Sequence, residues 1–301
     1  MIDGVSVQFR EATESSVRVT LAASGDVDLS GEWELYGPRC EYGRTLASTF
    51  RGRMTEAGDI EFLVTEPCYW SPAMPFLYEL RRTDSQADGE THFFGLRQLI
   101  AHGRNLRLSG ERIVLRGAAC QGLDADTASR GHDAECSVAS SATDEFEFSA
   151  ASRLGAFVLL DATRFDGDLA TLLERISWQP GVAVVTLSRE RLESARELPV
   201  KAAGVLLAQQ FDSLDWGDAN SLASGVAVVV AMLNESERPP AWMATCGRPV
   251  VAVRRGAAYA DFEEARAACD RLQAALAPEF DLAGYFVSSS QAQDGTADGR
   301  R

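Results

Sequence analysis

Residues 248–256, RPVVAVRRG, carry the pattern on which the fold turns. Pro249 opens the stretch, Val250, Val251, Ala252 and Val253 fill it, and Arg254, Arg255 and Gly256 close it. An apolar run bounded by Pro and Gly reads as a strand buried on both faces. Such strands belong to parallel sheets, which helices cover above and below. Similar runs recur through the second half: AFVLLD (156–161), VAVVTL (182–187), AGVLLA (203–208), GVAVVVAML (225–233) and LAGYFV (282–287). Helical patterns fall between several of them. The clearest is DFEEARAACDRLQAALA (261–277), where Ala265, Cys269, Leu272 and Leu276 recur at three- and four-residue steps. Asp261 is placed to cap this helix, with Glu264 completing a capping box. Buried strands alternating with helices imply a doubly wound sheet or a β/α barrel. No GxGxxG or GxxxxGK[ST] follows any of the runs, which leaves a nucleotide-binding sheet little support.

The first hundred residues have a different rhythm. VSVQF (5–9), SVRVTLAA (16–23), GEWELYG (31–37), TLASTFRG (45–52), IEFLVTE (60–66), FLYELRR (76–82) and THFFGLRQL (91–99) are short, and several alternate polar with apolar residues. That is the pattern of half-buried antiparallel strands, and the breaks between them carry Gly, Pro and Asp. Seven such strands in one stretch suggest an immunoglobulin-like sandwich. The expected division is a sandwich over 1–102, an α/β unit over 103–290 and a polar, disordered tail over 291–301.

Composition narrows the partners. The net charge of −15 argues against nucleic acid and against an anionic membrane surface. No run approaches the ~18 apolar residues of a membrane span, and the first residues show no signal-peptide pattern, so the cytoplasm is the expected address. Cys40, Cys68, Cys120, Cys136, Cys246 and Cys269 form no CxxC pair. They read as free thiols, with a Cys40–Cys68 bridge open only to an exported protein. His92, His102 and His132 are scattered, so no metal and no cofactor is expected.

Three further segments have a recognisable order. YWSPAMPFLYELRR (69–82) resembles the WSPExPxLYxL stretch of glycoside hydrolase family 2, the family of β-galactosidases, β-glucuronidases and β-mannosidases. FFGLRQL (93–99) is similar to its xGFRxI strand, and GRNLRLSGERIVLRGA (103–118) to the hairpin that leads into its barrel. The resemblance implies a shortened (β/α)8 TIM-type barrel behind the immunoglobulin-like sandwich. Its strands would fall at about 113–118, at ECSVAS (135–140), and at the six apolar runs above. SRLGAFVLLDA (152–162) then resembles the third strand, ISWQPGVAVVTLSRE (176–190) the fourth, RPVVAVRRG the seventh and LAGYFVSSS (282–290) the eighth.

The resemblance also implies a chemistry. A retaining glycosidase needs two carboxylates about 5 Å apart, one as acid/base and one as nucleophile. The family carries them at the ends of the fourth and seventh strands. Here Glu190 keeps the acid/base position, but the nucleophile position falls on Arg254, and sliding by one residue gives Val253 or Arg255. Arg189 replaces the family's sugar-binding Asn, Ser288 its eighth-strand Trp, and Gln179 the His of its fourth-strand motif. Asp161, closing the third strand, matches the family's acidic position. The expectation is a family-2-like protein that has lost hydrolysis and serves as a carbohydrate-binding or protein-interaction module. An active glycosidase would need a relocated carboxylate, for which Asp161, Asp212 and Glu235 are candidates. A non-catalytic scaffold is the third reading. Glu190 also reads simply as a first-turn residue of the helix suggested by RERLESAREL, behind Ser188. The two arginines also read as a solvated strand end. The alignment further places Arg254 or Arg255 in the barrel mouth, near Glu190 or Asp161.

Overall fold

A computed structural model describes residues 1–25, 27–83, 91–120, 122–141, 145–195, 204–277 and 279–289. The expected tail over 291–301 lies outside them. The N-terminal part holds β1 (Val5–Arg10), β2 (Ser16–Ala23), β3 (Trp33–Arg39), β4 (Ser48–Arg51), β5 (Arg53–Met54), β6 (Ile60–Thr65), β7 (Leu77–Arg82) and β8 (His92–Phe94). They form two antiparallel sheets, ordered β1-β2-β6-β5 and β4-β3-β7-β8. The alternation seen in the sequence is the reason they pack. Val17, Val19 and Leu21 on β2 and Ile60, Phe62 and Val64 on β6 are buried, while their neighbours are not. They share one core with Leu35, Tyr78, Leu80 and Phe94 of the second sheet.

The stretch 91–99 is not one strand. It breaks after Phe94, and the chain resumes as β9 (Leu99–His102), β10 (Asn105–Leu108) and β11 (Glu111–Ile113), a separate three-stranded sheet. Between Phe94 and Leu99 the backbone turns so that Arg97 faces inward. The β10–β11 turn places Ser109 at φ 49° and Gly110 at φ 85°, a reversal with two left-handed residues that suits a tight hairpin. Leu99, Leu106 and Leu115 then pack into the core of the barrel that follows.

That barrel is closed and parallel. Its strands are β12 (Leu115–Ala119), β13 (Ser137–Ser140), β14 (Val158–Asp161), β15 (Val182–Leu187), β16 (Leu206–Asp212), β17 (Val228–Leu233), β18 (Val250–Arg255) and β19 (Gly284–Ser288), and β19 pairs back onto β12. Of the two architectures open to the buried runs, the structure is the barrel. The interior is filled rather than hollow: Leu159, Val184, Leu206, Val228, Val230, Val251, Val253 and Phe286 pack inside it. Gly117 makes room for one of them, since a Cβ there would lie 2.1 Å from the Phe286 ring.

The outer layer is thinner. Helices α1 (Ala125–Asp133), α2 (Glu145–Leu154), α3 (Leu169–Ser177), α4 (Arg189–Ala195) and α5 (Phe262–Leu276) follow β12, β13, β14, β15 and β18. The connections after β16 and β17 carry only the 3₁₀ turns Ala219–Ser221 and Ala241–Ala244. Asp124, Asp168 and Asp261 cap α1, α3 and α5. At α5 the capping box is displaced by one residue. Asp261 accepts from the Glu264 amide at 2.8 Å, but the Glu264 carboxylate reaches back to the amide of Ala260, at 2.8 Å, instead of that of Asp261.

The sandwich and the barrel exchange side chains. Trp70, from the segment before β7, is fully buried in the barrel core and donates from Nε1 to the Ser152 carbonyl at 2.7 Å. Trp178, just past α3, is fully buried in the sandwich core and donates to the Val5 carbonyl at 2.8 Å. Gly155 (φ 75°) lets the Ser71–Pro75 turn approach, because a Cβ there would meet the Pro72 carbonyl at 2.2 Å. Arg97, 1% exposed, completes the seam. Its guanidinium donates to the carbonyls of Pro180, Val182 and Gly204, at the start of β15 and just before β16. Burial pushes its pKa down to about 9, so it remains a cation at neutral pH.

Arg97→Met is expected to destabilise the fold by about 3–5 kcal/mol, the cost of orphaning buried partners of a charged group. Arg97→Lys is expected to recover less than half of that, because one ammonium cannot span three carbonyls. Urea denaturation of the three proteins measures both.

Candidate functional site

Side-chain alternation decides which groups face the barrel axis at its carboxyl end. On β18, Val251 and Val253 lie in the interior core, whereas Val250 and Ala252 lie in the outer core under the helices. Arg255 therefore continues the inward side and Arg254 the outward side. The hydrogen bonds agree. Arg254 donates from Nη1 to the Asn234 carbonyl at 2.6 Å and from Nη2 to the Glu237 carbonyl at 2.9 Å, in the loop after β17. Burial lowers its pKa, and the nearby Glu237 and Glu235 oppose that shift. The residue matched to the nucleophile position thus points away from the mouth. Arg255 is half-buried, and its Nε is buried without a hydrogen-bond partner.

Of the two arginines expected at the mouth, Arg255 continues the inward side and Arg254 does not, and neither forms an ion pair with Glu190 or Asp161 among the described residues. Glu190 sits in the first turn of α4 and is exposed. Its pKa is lowered, first by its own backbone N–H, then by the Ser188 hydroxyl and the charge of Arg189. A general acid needs the opposite, a carboxyl kept protonated by its surroundings. Arg189 is exposed and pairs along the helix with Glu193 at 3.5 Å.

The other acidic candidates are engaged in local turns. Asp161 closes β14 on the inward side, next to Leu159 of the interior core, and accepts from the Thr163 amide at 3.0 Å and hydroxyl at 2.7 Å. Asp212 closes β16, also on the inward side, and accepts from the Leu214 amide at 3.0 Å. Glu235 is exposed in the loop after β17, where its charge reaches Arg254. Ser288, 5% exposed, ends β19. Gln179 lies at the opposite end of the barrel, before β15, where it accepts from the Ser152 hydroxyl at 3.1 Å.

One mouth residue escaped the sequence reading. Thr186 is 1% exposed, sits in register with Asp161 and carries a buried hydroxyl without a partner. Nothing in VAVVTL marks it, because its direction depends on a register shift between β14 and β15. A cleft of about 600 Å³ lies away from this end, at the seam between sandwich and barrel, bounded by Arg39, Leu77, Phe93 and Gln179. All six cysteines are free, Cys40 and Cys68 included. No group of His, Cys, Asp and Glu among the described residues is arranged to hold a metal. No helix among them is long and apolar enough to cross a membrane.

The whole described fold has counterparts among solved structures. A β-glucuronidase of Faecalibacterium prausnitzii superposes with a TM-score of 0.63 at 15% identity, covering 95% of this chain and 59% of its own. This chain is similar in fold to β-glucuronidases. The β-D-glucuronidase of Dictyoglomus thermophilum gives a TM-score of 0.65 at 13% identity, covering 95% of this chain and 61% of its own. A β-galactosidase-like structure, described as a putative β-galactosidase from Bacteroides fragilis, gives 0.56 at 12%, covering 94% and 54%. The chain thus spans about three-fifths of the length of the glucuronidases. No protein-family model matches it, and no curated protein does. Identity at this level establishes shared architecture, and activity has to be argued from the site.

The lowered pKa of Glu190 is directly measurable. A carboxyl-detected NMR titration is expected to place it below an ordinary Glu, and Ser188→Ala is expected to move it upward. A value above that of an ordinary Glu would mean the carboxyl is poised as an acid.

Proposed function

We propose that this chain is a degenerate relative of glycoside hydrolase family 2 that no longer hydrolyses glycosides and uses its barrel mouth to bind carbohydrate. The observation that carries this reading is the end of β18. It closes on Arg254 and Arg255, with no carboxylate at either position. Double displacement requires a nucleophile there, opposite an acid kept protonated. The exposed, charge-stabilised Glu190 supports the same conclusion from the other side of the mouth. Arg255 on the inward side, with Asp161 and Asp212 at the rim, offers the donors and acceptors that sugar hydroxyls take up. In this reading Glu190 is a remnant of the acid/base and Arg254 a replacement, while Arg189 and Glu235 lie outside the binding surface.

The sheet orders β1-β2-β6-β5 and β4-β3-β7-β8 support an immunoglobulin-like assignment for the N-terminal part. We retain a sandwich over 1–102 and a barrel over 103–290 as the domain division, and the cytoplasm as the address that six free thiols favour.

A second reading, an inverting glycosidase with a relocated base, rests on Asp161 and Asp212, which both close strands on the inward side. Inversion needs two carboxyl groups about 6.5–9.5 Å apart. Wild type, Glu190→Gln, Asp161→Asn and Asp212→Asn are to be assayed against a panel of aryl glycosides and on a glycan array. The expected result is no turnover by any of them, with array binding that the Asp161 and Asp212 variants weaken about tenfold. Turnover by wild type that disappears in a carboxylate variant would overturn the loss of hydrolysis. Silence on both the assay and the array would overturn the carbohydrate role and leave a scaffold or protein-interaction part.

A further inference from the structure

The seam between sandwich and barrel holds a cleft of about 600 Å³, and both halves build it. The sandwich contributes the end of β3, the start of β7 and β8. The barrel contributes α2 and the link between α3 and β15. The volume falls in the range of about 300–1,000 Å³ that small ligands occupy.

Two groups in the cleft are open. The first is an aromatic ring. On β8, His92 and Phe94 are buried, so alternation sends Phe93 to the other face, where it is 42% exposed and lines the cleft. The second is a directed donor. Gln179 is 5% exposed and lines the same cleft. The Gly181 amide donates to the Ser152 hydroxyl at 3.1 Å, and that hydroxyl donates in turn to Oε1 of Gln179, also at 3.1 Å. This relay fixes which way the carboxamide lies, because its oxygen must meet the hydroxyl proton. Its Nε2 group is left toward the cleft, without a hydrogen-bond partner among the described residues.

The charges around the cleft are already matched. Arg39 pairs with the buried Glu79 at 3.2 Å and lies over the Tyr36 ring, and Arg153 pairs with Glu41 at 3.3 Å. Neither arginine calls for an anion, and neither carboxylate for a cation. What stays unmatched is the open face of Phe93 and, on the buried side, one amide donor. A planar apolar body with a single acceptor meets both. A sugar would bring hydroxyls that the buried wall does not partner.

We infer that this seam cleft binds an uncharged aromatic molecule carrying a hydrogen-bond acceptor such as a carbonyl, with its ring against Phe93 and its acceptor on Nε2 of Gln179. The site is separate from the barrel mouth and stands whether or not the mouth binds carbohydrate.

The test is isothermal titration calorimetry on the full chain with coumarin, which has the ring and the carbonyl. Naphthalene, which lacks the acceptor, and 2-naphthoate, which adds a charge, are the comparisons. Saturable one-to-one binding of coumarin is expected, tighter than that of either comparison. Phe93→Ala is expected to weaken it about tenfold through loss of the ring contact. Gln179→Met is expected to weaken it about tenfold through loss of the donor. Phe93 is exposed, so its variant leaves the cores intact, and the melting temperature reports folding of both. Glu190→Gln is expected to leave binding unchanged. The inference is overturned by no saturable binding of coumarin, or by binding that Phe93→Ala or a folded Gln179→Met leaves unchanged. It is equally overturned by naphthalene binding as tightly as coumarin, which would leave the amide donor without a role, or by 2-naphthoate doing so, which would mean that the cleft selects an anion.

Discussion

A single buried cation sits where the two halves of this protein meet. Arg97 reaches from the segment between the second sandwich sheet and β9 to three carbonyls at the start of the barrel's fourth and fifth strands. Those carbonyls lie at or just before strand entries, and this one guanidinium donates to all of them. An unpaired carbonyl there would cost about 1–3 kcal/mol. A neutral donor could satisfy one of them, but a planar fork of donors satisfies all three at once. The rings of Trp70 and Phe157, each 6.0 Å from the guanidinium carbon, offer their faces to the same charge. The β9–β11 sheet that seals the lower end of the barrel follows directly from the turn that aims Arg97 inward.

Much of this was legible in the sequence, and the limits have physical reasons. VAVVTL at 182–187 coincides with β15 because both faces of that strand are buried, so composition alone marks its ends. The fifth strand runs on to Asp212 through Gln209 and Gln210, polar residues that an apolar-run reading stops short of. Gln209 is buried because its carboxamide is spent on the Ser221 carbonyl and the Ala223 amide, contacts fourteen residues or fewer away yet invisible in a pattern of hydrophobicity. The stretch 91–99 looks like one strand because Phe94, Leu96 and Leu99 are all apolar. Phe94 and Leu96 enter the sandwich core and Leu99 the barrel core.

The candidate site was less legible, and for one reason. Motif matching assigns a residue to a position along a strand, but function at a barrel mouth depends on the side to which it points. Arg254 matches by position and faces out, while its neighbour Arg255 faces in. Alternation makes that distinction absolute, since a shift of one residue exchanges the two faces. Thr186 shows the converse: a small polar residue in an apolar run becomes a buried, unpartnered hydroxyl at the mouth only because the β14–β15 register slips.

The exchange of Trp70 and Trp178 has a consequence for how the molecule comes apart. Each half completes its core with a ring that the other half supplies. Neither half retains a filled interior once the seam opens, so separation and unfolding become one event, and a hinge between sandwich and barrel is not an available motion.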